Sequence, residues 1–149
     1  MSYSTKEVWI PCDSIYTENL TANTERGKTG EAISAITSGG AAISRGLLCG
    51  VAVKASAADA NNNGDDTDTT KGLEVRVYTD ASKTQLLYSV FLDLDTLNVP
   101  HNSATTVHAS DTLATPLPLF ETPYFTIRSG ASAAGTIDYT TTFLVMALA

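Results

Sequence analysis

The stretch Leu73-Glu74-Val75-Arg76-Val77-Tyr78-Thr79-Asp80-Ala81-Ser82-Lys83-Thr84-Gln85-Leu86-Leu87-Tyr88-Ser89-Val90-Phe91-Leu92-Asp93-Leu94 decides the fold. In its first part, Leu73, Val75 and Val77 alternate with Glu74, Arg76 and Tyr78. Period-two alternation with one polar face is the pattern of a half-buried strand. In its last part, Leu86, Tyr88, Val90, Leu92 and Leu94 form one apolar face, opposite Leu87, Ser89, Phe91 and Asp93. Asp80–Lys83, between the two runs, reads as a hairpin turn.

The same period continues on both sides. Gly46–Ser56 sets Leu47, Cys49, Val51, Val53 and Ala55 against Gly46, Leu48, Gly50, Ala52 and Lys54. Tyr124–Ser129 sets Phe125 and Ile127 against Thr126 and Arg128. Thr136–Leu148 places Ile137, Tyr139, Phe143 and Val145 on one face. Its other face begins polar, with Asp138, Thr140 and Thr142, and ends apolar, with Leu144, Met146 and Leu148. Pro116, Pro118 and Pro123 confine Leu117–Pro123 to an edge strand or an extended connection, because proline cannot donate to a ladder. Gly30–Thr37 fits a strand better than a short helix stopped at Gly39-Gly40. Gly39-Gly40, Asn61–Asp66 and Ser129–Gly135 have the composition of loops. Short strands separated by turns predict an all-β chain, an antiparallel β-sandwich of jelly-roll type. Its 149 residues correspond to one domain, 1–149, with 1–30 a candidate extended N-terminal arm.

Composition points the same way. The chain is 43% hydrophobic and only 17% charged, with Thr, Ser, Ala and Gly filling the difference. Helices usually carry Glu and Lys on their wet faces, so this mixture suits strands better. The net charge is −7 and the pI about 4.6. With 9 Lys and Arg residues the chain is poorly equipped for nucleic acid, whose binding rests on cations at phosphates. An anionic membrane surface is disfavoured for the same reason, and no run approaches the about 18 apolar residues of a spanning helix. Met1–Glu7 has no apolar h-region, so synthesis in a cytoplasm is expected. Cys12 and Cys49 then read as free thiols.

The strongest local motif is Asp59-Ala60-Asn61-Asn62-Asn63-Gly64-Asp65-Asp66-Thr67-Asp68. Asp59, Asn61, Asn63 and Asp65 place oxygen side chains at the spacing of a calcium loop. The carboxylate that should close such a loop is replaced by Thr70, so a polar connection without metal is the simpler expectation. His101, His108 and Asp111 could meet at a metal, but surface histidines are the plainer reading. Glu74, Asp93, Asp95, Asp111, Glu121 and Asp138 read as solvated carboxylates. No serine lies in a Gly-x-Ser-x-Gly elbow. The aromatics read as core, with Trp9 and Tyr16 as candidates to stack on a sugar. No catalytic residue, cofactor or bound metal is expected.

Leu73–Ser82 with Leu86-Leu87-Tyr88, then Pro123–Gly130 and Gly135–Tyr139, resembles small virion proteins of tailed bacteriophages of the capsid decoration or cement type. The resemblance covers roughly residues 45–145, lies in the order of strands and turns, and carries no residue role. It implies a non-enzymatic homo-oligomer, a trimer, that clamps the major capsid protein on the capsid surface after synthesis in the host cytoplasm. Leu144, Met146 and Leu148 are the interface candidates, unless they complete the monomer core. The alternative is a carbohydrate- or receptor-binding β-sandwich module of a phage fibre or tail, and a small hydrolase is a third reading.

Overall fold

The computed structural model describes residues 7–11, 15–17, 25–28, 31–56, 72–93, 106–129 and 139–148. All regular elements among them are strands: β1 (Glu7–Pro11), β2 (Ile15–Thr17), β3 (Glu25–Arg26), β4 (Ser34–Ala35), β5 (Thr37–Ser38), β6 (Ala41–Ala42), β7 (Gly46–Ser56), β8 (Gly72–Tyr78), β9 (Leu86–Asp93), β10 (Thr106–Leu119), β11 (Tyr124–Ser129) and β12 (Tyr139–Leu148). The first sheet has the order β1-β12-β7-β10, with β2 also on β12. The second has the order β3-β11-β8-β9, with β4 also on β11. Every pairing in both sheets is antiparallel. From β7 onward the chain changes sheet at each step except the β8–β9 hairpin. Apart from that hairpin, strands that neighbour each other within these two sheets are therefore distant in sequence.

The sheets share one core. Leu48, Val51, Val53, Phe143 and Val145 of the first meet Leu73, Val75, Val77, Phe125 and Ile127 of the second. The Phe125 and Phe143 rings lie 5.2 Å apart at 58°, a tilted aromatic pair joining the two layers. Ile36 and Ile43 close one side from the β5–β6 hairpin. Gly39 and Gly40 turn this hairpin with φ of +58° and +80°, a pair of left-handed residues that glycine adopts without strain.

The strand reading of Gly46–Ser56, Leu73–Thr79, Leu86–Leu94, Tyr124–Ser129 and the end of Thr136–Leu148 corresponds to β7, β8, β9, β11 and β12. Two face assignments change. In β7 the residues packed in the core cluster are Leu48, Val51 and Val53; Leu47 is only half-buried, and Cys49 is buried but outside that cluster. Leu144 pairs with Gly50 while Val145 pairs with Leu48, so Cys49 is an extra residue. Such a bulge inverts the alternation beyond it. On the other flank Thr112 pairs with Gly50 and Leu117 with Leu48, and Leu113–Pro116 loop out of the ladder. Pro116 is accommodated there and Pro118 lies on an edge strand, positions a proline tolerates.

The second change is in β9. Val77 pairs with Tyr88 but Tyr78 pairs with Leu86. The extra residue, Leu87, packs against the core and Leu86 is left 54% exposed. The Gly30–Thr37 stretch contains short strand pieces, β4 and the start of β5, which flank the buried Ile36. Glu7–Pro11, Ile15–Thr17 and Glu25–Arg26, within the candidate arm, pair with β12 and β11.

Candidate functional site

Among the described residues three surfaces are candidates to carry function, and each follows from the strand pattern. The first is the outer face of the β12–β7 pair. Phe143 and Val145 point into the core, so Leu144 and Met146 point away from it. Both are half-buried, as is Leu47, which pairs with Met146. Leu144 and Met146 stand apart from the core cluster. Ala52 and Thr142, also paired, extend an uncharged strip that ends at the exposed Lys54. Leu148, the third interface candidate, is in register with Glu7.

The second surface is the outer face of the second sheet. Register places Glu25, Arg128, Glu74 and Phe91 in one row, and Thr126, Arg76 and Ser89 in the next. The Arg76 guanidinium donates to both Glu74 oxygens, at 2.9 and 3.1 Å, and to Glu25. Arg128 reaches Glu74 at 2.7 Å, Lys83 reaches Glu25 at 3.3 Å, and the Tyr78 hydroxyl donates to Glu25 at 3.4 Å. Burial pushes the Glu74 carboxyl up, but the hydrogen bonds and charge of Arg76, the Ser89 hydroxyl and the charge of Arg128 outweigh it and hold the carboxyl below its usual range. The hydrogen bond from Arg76 to Glu74 in turn raises the guanidinium further above its already high value. Glu74 is thus an ion-paired hub, not the solvated carboxylate its wet-face position suggested. Phe91, 47% exposed, borders the network and is an aromatic outside the core.

The third surface is concave. Its floor is Leu87, Pro118, Leu119 and Pro123, and its volume is about 360 Å³. Thr79 and Gln85 form one wall, while Phe120 and Glu121 form the rim. The wall is held by the turn after β8. Asp80 accepts backbone N–H bonds from Ser82 at 2.9 Å, Thr84 at 3.1 Å and Gln85 at 2.8 Å. The Thr84 N–H above all, then that of Gln85, keeps the Asp80 carboxyl below its ordinary range. The Thr79 N–H donates to the Gln85 carbonyl and the Thr79 hydroxyl to Gln85 Oε1, each at 3.0 Å. The rim is held by prolines on both sides, and Ile36 N–H donates to the Pro123 carbonyl at 2.9 Å. Phe120 is 81% exposed, a second aromatic outside the core.

The remaining sequence candidates distribute as follows. Asp59, Asn61, Asn63 and Asp65 lie outside the described residues, as do Cys12, His101, Asp95 and Asp138. Trp9 and Tyr16 are strand residues, Trp9 paired with Met146 and Tyr16 with Thr140. His108 pairs with Lys54 in β10. Cys49 is a free, buried thiol whose Sγ donates to the Leu47 carbonyl at 3.4 Å. Asp111 is half-buried and accepts from the Tyr88 hydroxyl, so it too is no freely solvated carboxylate. Glu121 is exposed. The concave site escaped the sequence reading because its walls come from separate stretches. Its one visible signal was Phe120 between two prolines. A scan of protein-family models gave no match to this chain, and neither did a search of curated proteins.

Proposed function

We propose that the protein is a non-enzymatic structural component of a tailed-phage virion. In this reading it is a decoration protein, made in the host cytoplasm, that binds the major capsid protein on the shell as a homo-oligomer, a trimer. The observation that carries the reading is the strip of Leu47, Leu144 and Met146 on the face of a β-sheet turned away from the core. An uncharged, partly apolar sheet face is a surface for subunit contact. Closed point-group assembly is the usual form of such contact. The strand and turn order of residues 45–145, similar to that of decoration proteins, supplies the capsid as partner. The acidic balance of the chain, −7, favours docking on a basic protein surface.

The test is addition of the purified protein to undecorated capsids, followed by their thermal disruption. Capsids that bind it and break at a higher temperature support the reading. Capsids that neither bind it nor gain stability overturn it.

A further inference from the structure

The geometry points to the concave site under Phe120 as a binding site for a cationic side chain, an arginine or lysine presented by a partner protein. The floor is apolar and suits a methylene stem: Leu87, Pro118, Leu119 and Pro123 offer no charge. The polar lining groups include acceptors, although Gln85 Oε1 also accepts the Thr79 hydroxyl. Glu121 supplies a carboxylate and Gln85 a side-chain carbonyl. Among the described residues no ion pair involves Glu121, and no cation stands in the lining of the site. Phe120, 81% exposed and next to Glu121 in the chain, adds an aromatic ring to the same lining, and aromatic rings attract cations. An aliphatic stem on an apolar floor, with its head between a ring and a carboxylate, matches how Arg and Lys bury their stems and keep their charge at the surface.

The backbone around the site is held in place. The Asp80-centred turn holds the backbone of Ser82, Thr84 and Gln85, and the prolines flanking Phe120 restrict its backbone, so less main-chain freedom is lost on binding. A second copy of the chain fits less well. Placing Phe120 of one molecule in the site of another, about a two-fold axis, would bring two Glu121 carboxylates together in a chain already at −7. A sugar would find a single ring and acceptors biased to one charge. The inference does not depend on the oligomer reading, because the site lies at the β10–β11 turn and not on the β12–β7 face.

The experiment is a titration of the ¹⁵N-labelled chain with N-acetyl-arginine amide, with the uncharged N-acetyl-citrulline amide as control. Saturable amide shifts are expected at Thr79, Gln85, Leu87 and Phe120, weakening as salt is raised. Glu121→Gln and Phe120→Ala should each weaken binding by about 2–5-fold, the range of an exposed ion pair or cation–π contact. Phe120 is 81% exposed, so Phe120→Ala should keep the parent's thermal midpoint, and this is measured alongside. Equal responses to arginine and citrulline, or an unchanged response in Glu121→Gln, overturn the inference. So does saturation by methyl pyranosides in place of arginine. A concentration-dependent mass lost in Phe120→Ala overturns it in favour of a second copy.

Discussion

The Tyr88 hydroxyl of β9 donates a hydrogen bond to the Asp111 carboxylate of β10, tying the outermost strands of the two sheets together. Asp111 pairs with Val51, a core residue, so its side chain shares the inward face of β10. An inward-directed charge on an edge strand deters another strand from adding there. Tyr88 gives that charge a partner within the chain. Tyr88→Phe should therefore cost about 1–2 kcal/mol, because a half-buried carboxylate loses its donor. Asp111→Asn should cost less, since the amide still accepts. A double-mutant cycle by urea unfolding checks the coupling.

The same pair sets an alkaline limit. Burial raises the Tyr88 pKa above its ordinary value, and the hydrogen bond and charge of Asp111 raise it further. A raised folded-state value means this contribution is complete below the unfolded tyrosine pKa of about 10 and disappears as pH climbs through the higher folded value. Unfolding free energy should fall above about pH 10 in the parent and fall less in Tyr88→Phe. Equal slopes in the two proteins would refute the assignment.

Glu74 sets the acid limit by the opposite sign. Its folded-state pKa is lowered, so its contribution is present above the unfolded carboxylate value and lost as pH falls through the folded one. Glu74→Gln should remove about 0.5–1 kcal/mol at neutral pH, because the network is partly exposed and screened. Its stability should then decline less than the parent's between about pH 5 and pH 3. Raised salt should shrink the difference between the two proteins.

Gly50 stands where β7 bulges against β10. A Cβ placed there would lie 2.4 Å from the Asp111 backbone carbonyl oxygen and 3.2 Å from the Thr112 Cα. Neither backbone atom can rotate away as a side-chain tip would. Gly50→Ala should cost about 2–3 kcal/mol in chemical unfolding, at the upper end of overpacking penalties. A cost below about 0.5 kcal/mol, the scale of a neutral surface change, would mean that the bulge opens freely.

Thr141 is fully buried, and its hydroxyl has no hydrogen-bond partner among the described residues. The next residue along that face of β12, Phe143, is buried and apolar, and Thr141 pairs with the buried Val53. Thr141→Val replaces the hydroxyl with a methyl of similar shape and removes an unsatisfied polar atom. It should stabilise the fold by about 1 kcal/mol. A loss of stability would place a hydrogen-bond partner on that hydroxyl.

The strands were legible because burying one face of a sheet enforces strict alternation, and β7, β8, β9 and β11 keep it over most of their length. The bulges were not. Cys49 and Leu87 are apolar residues in apolar runs, and nothing in their identity says that an extra residue sits there. β10 was only partly legible, since its prolines broke the pattern of a strand that continues past them. The ion network and the concave site depend on register between distant stretches. Arg76 and Glu25 are 51 residues apart, and the site joins Thr79–Leu87 to Pro118–Pro123. A one-dimensional pattern does not contain that register. The apolar end of β12 was visible, and so was the alternation that separates Leu144 and Met146 from Phe143 and Val145.

That separation yields the sharpest test of the assembly proposal. If Leu144 and Met146 made the monomer core, a charge at either would unfold the chain, as a charge at Phe143 or Val145 should. Because both lie on the opposite face, Leu144→Glu and Met146→Glu should leave the fold intact, with a loss of about 1 kcal/mol or less. Their effect should appear in assembly, since a carboxylate at the centre of a contact between copies remains unpaired when buried. Light scattering should find the parent as a trimer and the double variant Leu144→Glu/Met146→Glu as a folded monomer. Lys54→Glu, at the exposed end of the strip, should shift the equilibrium less. A parent that is monomeric at all concentrations, or a double variant that stays trimeric, removes this face from the proposed contact.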